Sequence, residues 1–80
     1  MNIKYGGVEY ELLDPDKWTT LEAAKLQRAS GMTPAELVMD LRNFGPAGLH
    51  AIAWVSVRRA GVDVAYDEFD LPYFDTFKAW

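Results

Sequence analysis

Near the start of the chain, apolar and polar residues alternate. Val8, Tyr10 and Leu12 fall on one side of an extended segment, and Glu9 and Glu11 on the other. A shorter run of the same kind, Ile3-Lys4-Tyr5, precedes it. The Gly6-Gly7 pair between the runs supplies the positive φ values that a tight hairpin turn requires. The pattern predicts a low β-hairpin with one side laid on the rest of the domain and the other in water. Leu13-Asp14-Pro15-Asp16 then ends the strand and turns the chain.

From Thr19 onward the apolar period lengthens to that of helices, and the boundaries are marked by capping chemistry. Thr19-Thr20-Leu21-Glu22 fits a capping box, in which a Thr hydroxyl and a Glu carboxylate each satisfy an orphan amide. A first helix is therefore predicted over about Thr20 to Ser30, closed by Gly31 in the left-handed conformation. Thr33-Pro34-Ala35-Glu36 opens a second, with Pro34 at the first helical position and Met32 and Leu37 placed as a hydrophobic staple. Leu37, Val38, Leu41 and Phe44 recur at helical spacing along it, while Glu36, Asp40 and Arg42 point elsewhere; Gly45 is read as its stop. A third helix, Pro46 to Ala60, is apolar almost all the way round and so is central rather than superficial. Its centre, with Leu37, Leu41, Leu49, Ile52 and Trp54, is the expected core. Arg58 and Arg59 in its last turn suit the negative end of the helix dipole, and Gly61 ends it.

After Gly61 the residues Val62, Val64 and Tyr66 alternate with Asp63 and Ala65, and Asp67 can cap a short turn at Glu68-Phe69-Asp70. Leu71-Pro72 reads as a breaker of regular structure. The fold expected is mainly α, with a small β part: a short N-terminal β-hairpin packed on a three-helix core, and an irregular, aromatic-rich C-terminal segment. Residues 1–72 form the compact unit and residues 73–80 the tail. A chain of 80 residues, 50% of them hydrophobic, suffices for one such domain with a modest core.

Composition removes several classes of function. The chain has no cysteine, which leaves neither a disulfide framework nor a thiolate metal site. Twelve acids against eight bases give a net charge of −4, the wrong sign for phosphate-backbone binding, so no nucleic-acid partner is expected. The longest apolar stretch, Leu49 to Val57, is interrupted by His50 and Ser56 and is too short to span a bilayer, so no membrane role is expected. With no secretory signal pattern at Met1-Asn2-Ile3-Lys4-Tyr5, the cytoplasm is the simplest location. His50 has no second imidazole or thiolate to share a metal, and reads as a surface or boundary residue. Ser56 lacks a neighbouring base and reads as a helix serine bonding back to a carbonyl. The acids Asp63, Asp67, Glu68, Asp70 and Asp75 lack the glycine and ligand spacing of a calcium loop. Neither a catalytic constellation nor a cofactor or metal site is expected.

The distribution of aromatics stands out. Tyr66, Phe69, Tyr73, Phe74, Phe77 and Trp80 crowd the last part of the chain, interleaved with acids. Tyr66 and Phe69 are expected to pack on the third helix. Tyr73, Phe74, Phe77 and Trp80 either pack as well or form a surface for a partner or for self-association, since a core this small has little room for more rings.

The run Trp54-Val55-Ser56-Val57-Arg58-Arg59-Ala60-Gly61, followed by Val64-Ala65-Tyr66-Asp67-Glu68-Phe69-Asp70, resembles the tail assembly chaperones of long-tailed phages, especially those infecting actinobacteria. Tyr10 to Pro15, Leu21 to Ala24 and Ser30 to Leu37 resemble the family's opening strand and first two helices, so the likeness covers about residues 8–71. The resemblance implies a non-enzymatic factor of the host cytoplasm. Such a factor holds the long, helical tape measure protein soluble while the tail tube polymerises, and is absent from the mature virion. It also implies that a longer, frameshifted form recruits tail tube protein. Trp54, Arg58 and Arg59 match the family's recurrent run and, with Tyr73, Phe74, Phe77 and Trp80, are the candidate partner-binding residues. A small acidic regulator or inhibitor of a host protein shares the composition. A helix-turn-helix DNA binder is disfavoured because Leu49, Ile52 and Val55 leave no polar recognition face.

Overall fold

Strands β1 (Asn2–Tyr5) and β2 (Val8–Glu11) pair antiparallel, with Ile3 opposite Tyr10 and Tyr5 opposite Val8. Gly6 and Gly7 lie at φ +58° and +79°, the left-handed pair that suits a two-residue turn to the twist of the strands. In this computed structural model the backbone is described from Asn2 to Lys78 and the side chains as far as Thr76. The hairpin's covered face is the one predicted, and Ile3 is its buried member, with Tyr10 half-buried. Val8, at the turn end of the ladder, is 52% exposed. Asp14 then accepts the Asp16 amide at 3.0 Å and starts a single 3-10 turn over Pro15–Lys17.

Helix α1 (Thr20–Ser30) begins at the predicted box: the Glu22 amide donates to the Thr19 hydroxyl (3.1 Å), and the Thr19 amide donates to the Glu22 carboxylate (2.9 Å). Gly31, at φ +75°, closes it. Helix α2 (Pro34–Arg42) repeats the device with Thr33 and Glu36 at 3.2 and 2.9 Å. The turn between the two is tied by Ser30, whose hydroxyl donates to the Leu26 carbonyl (2.6 Å) and accepts the Met32 amide (3.1 Å).

The end of α2 differs from the sequence reading. The helix stops at Arg42, and the left-handed residue is Phe44 at φ +57°, with Gly45 one position later. Phe44 donates its amide to the Leu41 carbonyl (3.0 Å) and Gly45 to the Asp40 carbonyl (2.7 Å), the pair of bonds of a Schellman motif. Phe44 therefore leaves the apolar stripe assigned to it and is 63% exposed. Gly45 serves another purpose. A Cβ there would run into the Asp40 carboxylate, which accepts the Gly48 amide at 2.7 Å and so caps the start of the next helix.

Helix α3 (Pro46–Arg59) is the centre of the molecule, with every residue from Gly48 to Val57 buried except half-buried His50. Hairpin, α1, α2 and the segment after α3 all lie against it. Gly48 permits the close approach of α2: a Cβ at this position would stand 2.5 Å from both the Leu37 carbonyl oxygen and the Leu41 amide nitrogen. The core contains Leu37, Leu49, Ile52 and Trp54 as expected, together with Leu26, Ile3 and Phe69, while Leu41 is only half-buried. Ser56 bonds back to the Ile52 carbonyl (2.6 Å), as its sequence position implies. It also accepts the Leu13 amide (2.8 Å), pinning the exit of the hairpin to α3.

Beyond α3 the alternation is real although no strand forms. Val62, Val64 and Tyr66 are half-buried, whereas Asp63, Ala65 and Asp67 face solvent. The next turn closes on the Ala65 carbonyl, which accepts the Glu68 and Phe69 amides at 3.1 and 3.0 Å, and not on Asp67. The C-terminal segment is not irregular throughout. Tyr73–Lys78 forms a short helix, α4, begun by the Pro72 carbonyl, which accepts the Thr76 amide at 3.0 Å. Among the described residues no helix is long and apolar enough to cross a membrane.

Candidate functional site

The residues singled out in the sequence separate into three places. Trp54 belongs to the core. It is 7% exposed, and its indole N–H donates to the Val64 carbonyl at 2.9 Å, so it anchors the segment after α3 and offers little surface to a partner. Arg58 and Arg59, neighbours on α3, diverge by about 100° and bind different elements. Arg58 lies over the Trp54 ring, 5.4 Å from its centroid, and pairs with Asp63 at 2.5 Å. Arg59 forks onto both oxygens of Glu22, at 2.9 Å for Nε to Oε2, and donates to the Lys17 carbonyl at 3.2 Å. It thereby ties α3 to the capping box of α1 and to the 3-10 turn. The Arg59 hydrogen bond holds the Glu22 carboxyl below its ordinary value, with a further lowering from the Thr19 amide.

The third place is the aromatic tail. Tyr73 is half-buried and donates its hydroxyl to the Phe44 carbonyl, while its ring meets Phe74 edge-on with centroids 4.9 Å apart. Phe74 is 77% exposed and Thr76 is buried. The Phe77 side chain and all of Trp80 lie outside the described residues. Tyr66 and Phe69 pack inward as expected. His50 sits between them at the boundary, its Nε2 donating to the Tyr66 carbonyl at 2.7 Å and its ring in edge contact with both. Burial pushes the Tyr66 phenol above its usual value.

A different surface emerges around α2. An open depression of about 560 Å³ lies between the hairpin exit and the α2–α3 pair, floored by Leu12, Leu13, Leu41 and Ile52, with Glu11 and Asp14 beside them. Past Pro15 it meets a second, of about 360 Å³, where Trp18 faces Pro34, Val38 and Met39. Ala35 and Met39 are shared with a third, of about 450 Å³, that includes Met32 and the acids Glu36 and Asp40. The second and third depressions thus follow the outward side of α2, and the first adjoins them at the hairpin exit. Met39 is 56% exposed, and the indole nitrogen of Trp18 is buried without a hydrogen-bond acceptor among the described residues. Sequence reasoning misses this surface, although Met32, Ala35, Val38 and Met39 follow helical spacing beside the stripe that faces α3.

Among the described residues no group of three His, Asp or Glu side chains is placed to hold a metal ion. The depressions combine apolar floors with carboxylate rims, the composition of a surface that receives an apolar face with basic flanks. Comparison with protein-family models, curated proteins and solved structures gives no match for this chain.

Proposed function

We propose that the protein is a phage tail assembly chaperone, which binds the tape measure protein and keeps it soluble in the host cytoplasm until the tail tube encloses it. The reading is supported by the resemblance of residues 54–70 and of the upstream capping segments to that family. The observation that carries it is the amount of large apolar surface a small domain leaves open: Leu21, Met39, Phe44 and Phe74 are each more than half exposed. Met39 among them lies in two adjoining apolar depressions and is not an isolated exposed side chain, the kind of patch that marks a binding surface. Self-association and a longer form that recruits tail tube protein belong to the same proposal.

Co-expression with the large tape measure product tests it. The expected outcome is that the client moves from the insoluble to the soluble fraction and co-purifies with the chaperone. A client that stays insoluble, together with retrieval of a host enzyme but no tail protein, would replace this reading with that of an acidic regulator.

A further inference from the structure

We infer that the groove around α2, rather than the aromatic tail, is the client-binding site, and that its occupant is a basic amphipathic helix. The inference rests on the chaperone reading for the identity of the client, but its geometry stands separately. The second and third depressions share Ala35 and Met39, so they form one run along the outward face of α2, and the first adjoins the second at Pro15. Two methionines, Met32 and Met39, line the third depression; unbranched thioether side chains adapt to many apolar partners, which suits a client presenting successive dissimilar helical turns.

Charge selects the occupant. The linings contain five carboxylates, Glu11, Asp14, Asp16, Glu36 and Asp40, against Lys17 and Arg42, within a chain of net charge −4. The Glu36 carboxylate is held ionised by the Thr33 amide and hydroxyl of its capping box, which lower its pKa. An apolar helix face flanked by Lys and Arg matches such a rim, whereas an acidic helix is repelled. The longest extent of the domain is 28 Å, so about 19 residues of helix, at 1.5 Å per residue, span it.

The test uses the full chain and synthetic helical peptides of about 18 residues. One has a leucine face flanked by lysines, one the same face flanked by glutamates, and one the lysine composition scrambled to remove the face. Binding is followed by titration calorimetry, with circular dichroism confirming that each variant is folded. The lysine-flanked peptide is expected to bind, and the other two to bind at least about tenfold more weakly, a difference of about 1.4 kcal/mol or more. Met39→Lys should weaken the first peptide by a similar factor, while Val8→Lys, a change of comparable exposure at the turn end of the hairpin and outside the groove, should not.

Equal binding of the lysine- and glutamate-flanked peptides, or Met39→Lys binding as well as the parent, would overturn the inference. So would a dimer in sedimentation that Met39→Lys dissolves, since the groove would then be filled by a second copy. If the lysine-flanked peptide binds as described but the tape measure protein is not solubilised, the chaperone reading falls and the groove stands. If the client is solubilised equally by the parent and by Met39→Lys, the groove falls and the chaperone reading stands.

Discussion

Replacing Gly48 by alanine sets two well-characterised effects against each other. In an isolated helix the change is favourable, because alanine reduces the conformational freedom lost on folding, by up to about 1 kcal/mol. In this protein the added Cβ would meet the backbone of α2 at 2.5 Å on the Leu37 carbonyl and the Leu41 amide, and at 2.8 Å on the Leu41 Cα. Those atoms are main chain and cannot swing aside, so α2 and α3 must separate. Overpacking of this kind costs about 1–3 kcal/mol, and contact with rigid backbone on both sides places it at the upper end. The net expectation is a loss of about 2 kcal/mol, which for a domain of this size lowers Tm by roughly 8–16 °C. Urea and thermal melts followed by circular dichroism measure it directly. A Gly48→Ala protein as stable as the parent, or more so, would show that the two helices do not approach as closely as described.

Other consequences are as open to measurement. Ser56→Ala leaves the Leu13 amide without its acceptor, so a loss of about 1–3 kcal/mol is expected, with faster hydrogen exchange at Leu13; unchanged exchange there would contradict the bond. Glu22 has a folded pKa below its usual 4.5, chiefly through Arg59. Its contribution to stability is therefore present above the unfolded value and is lost as pH falls through the depressed folded one. Arg59→Ala should accordingly flatten the acid limb of urea midpoints, whereas Arg58→Ala should leave it steep, and identical limbs in the two variants would refute the assignment.

The features legible in the sequence are those that act over a few residues. Both capping boxes, the left-handed Gly31, the paired glycines of the hairpin and the all-apolar α3 occur where local chemistry places them. The end of α2 is misplaced by a reading that gives the left-handed site to the nearest glycine. The demand on residue 45 comes from the Asp40 carboxylate, and the left-handed position falls to Phe44. Pro72 reads as a breaker, yet its carbonyl begins α4, a role that a residue just ahead of the first helical turn can fill. Arg59 on Glu22 and Ser56 on Leu13 join residues 37 and 43 positions apart, beyond the reach of any periodicity. The second apolar stripe of α2 is visible as spacing alone. Nothing in the sequence distinguishes a stripe that faces the core from one that faces outward.

The packing of the hairpin also bears on the order in which the chain is completed during synthesis. Its first strand supplies Ile3 to a cluster that includes Phe69, and the Tyr5 ring lies 4.7 Å, centroid to centroid, from that same phenyl ring. A two-stranded hairpin has little stability alone in water, so this hairpin, made before the helices, has no permanent seat until the segment after α3 has emerged in turn. The α2–α3 corner is built from contacts between near neighbours and can close earlier. Vectorial folding of this protein should therefore begin in the middle, with the N-terminal strands remaining open to solvent and to other chains until Phe69 arrives to cover them.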